Sequence, residues 1–100
     1  MSIVSQTLSA RISAVERVRL RNGTKLVLLT LDVPYLQAMR FTGSDVTMSV
    51  ISGGAGTTVE GQLGLSNLLD SPACVGVSSP ELGKVAIGDR FVFERTGTVA

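Results

Sequence analysis

Residues 8–33 read LSARISAVERVRLRNGTKLVLLTLDV, and this stretch predicts a long β-hairpin. Even positions from 8 to 20 are mostly apolar and odd positions are mostly polar, which is the period-two pattern of a strand with one buried face. The dipeptide Asn22-Gly23 tolerates the positive φ angles of a type I′ turn. We therefore predict a strand before this dipeptide and a return strand over residues 25–33.

A two-residue turn fixes the register of the two strands. It places Val18 opposite Val27 on an apolar face and Arg17 opposite Leu28 on the other face. Glu16 is the residue that disagrees, because it falls on the apolar face. This indicates a β-bulge at that position or a paired carboxylate.

The rest of the chain predicts short elements separated by frequent turns. Residues 34–41 are expected to form a helix of about two turns that begins near Pro34 and ends near Gly43. The other expectations are strands at 46–50, 59–65 and 74–77, a flexible loop at 52–56, buried Leu68 and Leu69, and a last hairpin that turns at Gly88-Asp89 with Phe91 and Phe93 inward.

These elements predict a mainly β fold, namely a small antiparallel barrel or sandwich of five to six strands with a long N-terminal hairpin and one short helix. A barrel is preferred because closure protects strand edges, and an α+β roll is the alternative. The chain has 100 residues, of which 44% are apolar and 17% charged. That composition excludes a disordered chain, and the length suits one domain over residues 1–100.

Several kinds of chemistry are excluded by composition. The chain has no histidine, so it holds neither a Ser-His-Asp triad nor a Cys-His pair of its own. Cys74 is the single cysteine, so no intramolecular disulfide and no cysteine-rich zinc site can form. Cys74 itself is interpreted as a buried structural thiol. We predict that the chain is not an enzyme and takes no cofactor, metal or small-molecule substrate.

Charge and hydropathy bear on where the protein works. The formal net charge is +1, and no long apolar segment resembles a signal peptide or a membrane span. The expected location is the cytoplasm when the protein is made, with a virion as a further location and no membrane partner.

A basic surface on the hairpin is the candidate contact site. Five of the nine basic residues fall within fifteen positions, and four arginines share the odd phase of the first strand, with the lysine in the other phase. A partner protein, a nucleic acid or solvent alone could face them, although no aromatic residue lies among them to stack on bases. The predicted contact residues are Arg11, Arg17, Arg19, Arg21 and Lys25.

These observations favour a non-enzymatic structural or assembly protein that acts through protein–protein contacts. Its expected partners are copies of itself or a larger assembly, for example in a small virion component such as a capsid decoration, connector or tail protein. One alternative is an OB-like small barrel that binds nucleic acid through the arginine-rich face. Another is a small protein inhibitor or adaptor.

Overall fold

The computed structural model of the protein describes residues 2–43, 45–78 and 85–99 as one curled antiparallel sheet. The elements are β1 (Ser2–Arg19), β2 (Lys25–Pro34), helix α1 (Tyr35–Ala38), a 3-10 helix (Met39–Phe41), β3 (Val46–Ser52), β4 (Ala55–Val59), β5 (Gly61–Leu63), β6 (Pro72–Val77) and β7 (Arg90–Val99). The strands follow the order β4-β3-β7-β1-β2-β6-β5 across the sheet.

The predicted mainly β class with one short helical segment is confirmed, and the sheet forms a half-barrel. Its described part has seven strands rather than five to six. The difference arises at the predicted flexible loop. There Gly53 and Gly54, with φ of 60° and 85°, make a two-residue turn, so most of the loop is strand. The predicted strand over residues 59–65 is interrupted at Glu60.

The two outermost strands of the sheet, β4 and β5, are neighbours in the sequence. Only Glu60 separates them. Two peptide units span at most about 7 Å, so the sheet must curl until its two edges approach each other there. This curl, together with the shortness of β4 and β5, limits the edge that is exposed at either side.

The N-terminal hairpin forms, but the predicted register is wrong by one residue. Val18 lies opposite Leu26, and Arg17 lies opposite Val27. The loop has three residues rather than two, since the Leu20 N–H donates to the Thr24 carbonyl over 2.8 Å. Gly23, with φ of 86°, closes it as the left-handed residue of a three-residue loop.

A β-bulge in β1 then changes the faces of the hairpin. Ile12 pairs with Leu31 and Ala14 pairs with Thr30, so Ser13 is one residue too many on its strand. The sequence predicted a bulge at Glu16. The bulge lies three residues earlier, at Ser13. Because of it, Leu8, Ala10 and Ile12 face the interior before Ser13, whereas odd positions share the inner face after it.

The core lies on the inner face of the sheet. The rings of Phe91 and Phe93 pack at a tilt of 55° with their centroids 4.9 Å apart, and the ring centroid of Phe41, from the 3-10 helix, lies 6.1 Å from that of Phe93. The inward orientation predicted for Phe91 and Phe93 is confirmed. Other buried side chains are Ala10, Ile12, Val27, Leu29, Leu31, Ala38, Val50, Val59, Ala73, Val75, Val77 and Val85.

The prediction that Leu68 and Leu69 are buried is wrong. Their side chains are 64% and 49% exposed. The loop between β5 and β6 is held by its main chain, because the Leu36 N–H donates to the Leu69 carbonyl over 2.9 Å. Backbone bonds of this kind fix the loop without turning its leucines inward.

Other expected elements are confirmed where they can be described. The helix over residues 34–41 appears as α1 and the 3-10 helix, and β3 and β6 contain the strands expected at 46–50 and 74–77. The predicted turn at Gly88-Asp89 lies one residue earlier, at Ile87-Gly88, where the Asp89 N–H donates to the Ala86 carbonyl over 3.2 Å. The preceding arm of that predicted hairpin falls partly on residues 79–84, outside the described residues.

Candidate interaction surfaces

The predicted arginine face is divided between two faces of the sheet. Arg11 lies opposite Arg90 and next to the inward-facing Ala10, so it is on the outer face. Beyond the bulge, Arg17 lies opposite the buried Val27 and shares the inner face. The strict alternation assumed from the sequence is wrong here, because the extra residue at Ser13 reverses the phase.

Three cationic residues meet near the hairpin turn, and we call Arg17, Arg19 and Lys25 the tip cluster. Lys25 lies directly opposite Arg19 and therefore on the same face of the sheet. The sequence predicted that it would lie in the opposite phase to the arginines. All three side chains are exposed. The Arg17 guanidinium reaches the edge of the core, where it donates to the Val85 carbonyl over 3.4 Å. Arg21 lies in the adjoining turn.

The geometry of the tip cluster brings like charges close together. Leu20 and Thr24 are bonded across the turn, so the next pair, Arg19 and Lys25, is a non-hydrogen-bonded pair. Such pairs have Cα atoms only about 4.5 Å apart. Like charges directly opposite each other destabilise a sheet. Arg19 and Lys25 are therefore two like charges held side by side next to the turn.

A second cationic pair, Arg11 with Arg90, lies on the outer face. The Arg90 guanidinium donates to Ser9 Oγ over 3.2 Å. Arg95 differs from both pairs, because its Nε lies 3.1 Å from Asp45 Oδ2. Arg95 thus ties β7 to the segment before β3 and serves the fold.

Glu16 and Cys74 lie on the outer face of β1, β2 and β6. Glu16 is exposed opposite Leu28, so its predicted place on the apolar face is wrong. The Cys74 side chain is half-buried rather than buried. Burial raises the pKa of the Cys74 thiol and the charge of Glu16 raises it further, whereas a hydrogen bond with Thr30 lowers it. The thiol is thus held in its protonated, less nucleophilic form.

An open groove of about 370 Å³ lies on the outer face beside β5. Its lining contains one charged residue, Glu60, and one hydroxyl group, that of Ser78. Among the described residues no group of three or more His, Cys, Asp or Glu side chains could hold a metal ion. The groove is lined by Leu26, Glu60, Gly61, Gln62, Gly76 and Ser78.

The N-terminal half of β1 presents an open strand edge. The Ile12 N–H donates to the Asp89 carbonyl and the Ile12 carbonyl accepts from Gly88, so even-numbered peptide groups of β1 point towards β7. Odd-numbered groups before the bulge point the other way, and β2 pairs with β1 only from Ile12 onward. Within residues 2–43, 45–78 and 85–99, four residues therefore have no strand partner on that side. These residues, which we call the open edge, are Ile3, Ser5, Thr7 and Ser9.

The open edge belongs to a two-stranded ribbon. The pairing of β3 with β7 ends at Val46 opposite Arg95, whereas β1 continues to pair with β7 as far as Ser2 opposite Val99. Residues 2–5 and 96–99 therefore pair with each other and with no third strand in the described part of the chain. The molecule is elongated accordingly, with extents of 46 × 32 × 27 Å.

An exposed apolar patch lies where α1 meets the loop between β5 and β6. The backbone bond between Leu36 and Leu69 joins the two segments, and Leu68 and Met39 are their exposed neighbours. Sequence reasoning missed this patch because it assigned the leucine pair to the core. An exposed patch of this kind is typical of a protein contact.

Comparison with known protein families, with curated proteins and with solved structures finds no match to this chain. None of the helices in the described residues is long and apolar enough to cross a membrane.

Proposed function

We propose that this chain is a structural or assembly protein that acts through contacts with other protein molecules and catalyses no reaction of its own. The observation that carries the proposal is the open edge of β1. An exposed strand edge is a template on which another chain can add a strand, and main-chain hydrogen bonds supply the affinity.

The sequence of the open edge supports this use. Most proteins block a free edge with charges, proline or a bulge, because a bare edge promotes association. Residues 2–10 read SIVSQTLSA and contain no charge and no proline. The bulge and the first arginine come only after this stretch. A strand edge that lacks charges, proline and a bulge suits a protein that functions by associating with other protein molecules.

The finer parts of the proposal concern the assembly itself. The partners are copies of the chain or a larger assembly, and a small virion component such as a capsid decoration, connector or tail protein is the setting we propose. A composition rich in glycine, serine, threonine and valine and a long hairpin support that setting by analogy. An inhibitor or adaptor would use the same edge on a different protein.

The first test is the mass of the full chain in solution over a wide range of concentrations, measured by light scattering and by sedimentation velocity. We expect an average mass above that of the monomer, rising with concentration. A monomer at every concentration would eliminate copies of the chain as the partners and leave only a larger assembly of other proteins.

A second candidate function is binding of a polyanion such as nucleic acid at the tip cluster, by a small barrel of OB-like type. The like-charge pair of Arg19 and Lys25 favours it. A fluorescent oligonucleotide should then bind at low salt and dissociate at moderate salt, and R19S with K25S should abolish binding. R40S is the control, because Arg40 is an exposed arginine on the 3-10 helix. No binding at low salt would eliminate this candidate.

A further inference from the structure

We propose that the open edge of β1 pairs with the same edge of a second copy of the chain. The two strands run antiparallel about a two-fold axis that passes between Gln6 of one copy and Gln6 of the other. This inference rests on the proposed function and specifies its partner and its register.

The direction of the peptide groups selects the register. In an antiparallel pair, outward-pointing residues must meet outward-pointing residues. With the axis at Gln6, Ile3 meets Ser9 and Ser5 meets Thr7, and the symmetry repeats both pairs. Every residue of the open edge thus exchanges its N–H and C=O groups with the second copy.

Neighbouring symmetric registers leave part of the edge unused. An axis through Thr7 would bring Ile3 opposite Arg11, where β2 already lies next to β1. An axis through Ser5 would leave Ser9 beyond the paired part of the second strand. Only the axis at Gln6 uses the whole edge.

The side chains are compatible with a copy of themselves. The exposed Gln6 amide both donates and accepts, so two Gln6 side chains can bond each other across the axis. The register also places position 4 of the second copy opposite Leu8, which is half-buried against the core.

Charge is the reason to choose a second copy as the occupant. A two-fold axis brings each surface near its own equivalent, so a charged edge would repel itself. Residues 2–10 are uncharged, whereas the tip cluster and the pair of Arg11 and Arg90 could not meet their own copies without repulsion. The open edge is thus suited to self-pairing.

Cysteine cross-linking tests the register directly. Gln6 and its copy would form a non-hydrogen-bonded pair with Cα atoms about 4.5 Å apart, which is within disulfide range. We expect Q6C, made in a C74S background, to form a covalent dimer under mild oxidation.

Ser9 provides the matched control, because it is exposed and lies on the same edge. In this register Ser9 and its copy are six positions apart along the strand, or about 20 Å, which is too far for a disulfide. S9C in the same background should stay uncross-linked. Equal cross-linking of both variants, or none in Q6C while the chain is oligomeric, would overturn the inference.

Proline substitution tests the edge without relying on sulfur chemistry. The Thr7 N–H points away from β7, so T7P removes an outward donor and leaves the pairing within the chain intact. Each dimer would lose two hydrogen bonds, and we expect dissociation to become roughly tenfold easier or more. T7V keeps the donor and should associate like the natural chain.

The outcomes separate this inference from the proposed function. If the natural chain is monomeric at every concentration, this inference is wrong, and the proposed function then requires a different protein as the partner. If it is oligomeric and T7P, shown by circular dichroism to be folded, assembles equally well, then the open edge is not the interface. In that case the proposed function stands and this inference is wrong.

Discussion

The two halves of β1 differ in partner, charge and face. Residues 2–10 are uncharged, pair with β7 and leave one edge open. Residues 14–19 pair with β2 and carry Glu16, Arg17 and Arg19. The bulge at Ser13 divides them. The comparison teaches that one inserted residue can give a single strand two separate surfaces.

The physical reason is the direction of the peptide groups. The N–H and C=O groups of Ile12 point towards β7. Those of Ala14 point towards β2, as does the Leu20 N–H that bonds to Thr24. In an unbroken strand, residues 12 and 14 would point the same way. The bulge therefore reverses both the hydrogen-bonding direction and the side-chain phase.

Deleting Ser13 should have the largest effect, because it joins the two halves into one unbroken strand. Either the side chains before the deletion or those after it would then turn to the wrong face. We expect loss of the cooperative thermal transition in circular dichroism and binding of a hydrophobic dye. A glycine inserted after Asn67, in the exposed loop, should cost less than about 1 kcal/mol. A normal transition in the deletion variant would refute the role given to the bulge.

Gly23→Ala tests the turn that sets the register of the charged half. At a φ of 86° an alanine is strained, and we expect a loss of about 1–2 kcal/mol in the free energy of unfolding, measured in urea. Gly56→Ala is the control, since Gly56 lies in β4 with open space around it and no positive φ. If both variants were equally stable, the positive φ of Gly23 would be wrong.

Arg19→Glu should stabilise the charged half slightly. It replaces a like-charge pair with Lys25 by an opposite-charge pair, worth about 0.2–1 kcal/mol at low salt. The gain should shrink at high salt, because both side chains are exposed. Arg40→Glu, on the 3-10 helix, serves as the charge-matched control. The register first predicted from the sequence places Arg19 opposite Leu26 and gives no such gain.

Glu16→Gln should have the smallest effect, on the reactivity of Cys74. The charge of Glu16 raises the pKa of this thiol, so its removal should lower the pKa and modestly speed alkylation at a fixed, mildly alkaline pH. Glu60→Gln is the control. An unchanged rate would mean that Glu16 does not face Cys74.

The raised pKa of Cys74 also predicts how stability depends on pH. The folded state binds the thiol proton more tightly than the unfolded state does. The resulting stabilisation is full below the unfolded pKa and is lost as pH rises through the folded pKa. Glu16→Gln should therefore lose less stability than the natural chain in alkaline solution.

Part of this structure could be predicted because it depends on local pattern. The alternation along β1, the Asn22-Gly23 dipeptide and the spacing of Phe91 and Phe93 identified strands, a turn and core residues. The position of the bulge was less accessible. Val15 and Glu16 are two successive breaks in the alternation, and together they are the signal that could have shown a phase change before them.

The contact surfaces could not be predicted, because they depend on pairing between distant segments. The open edge exists because β7 pairs with one side of β1 along residues 2–11, whereas β2 pairs with the other side only from Ile12 onward. The exposed leucines of the loop look like core residues in the sequence, and only the path of that loop outside the sheet shows otherwise.

By itself, the sequence determined that this protein is a small β-rich domain with a long hairpin, because hydrophobic periodicity and turn residues act over a few positions. The tertiary structure decided which face each arginine occupies and which strand edge remains open. Those properties follow from hydrogen bonds between strands far apart in the chain, and a single bulge is enough to reverse them.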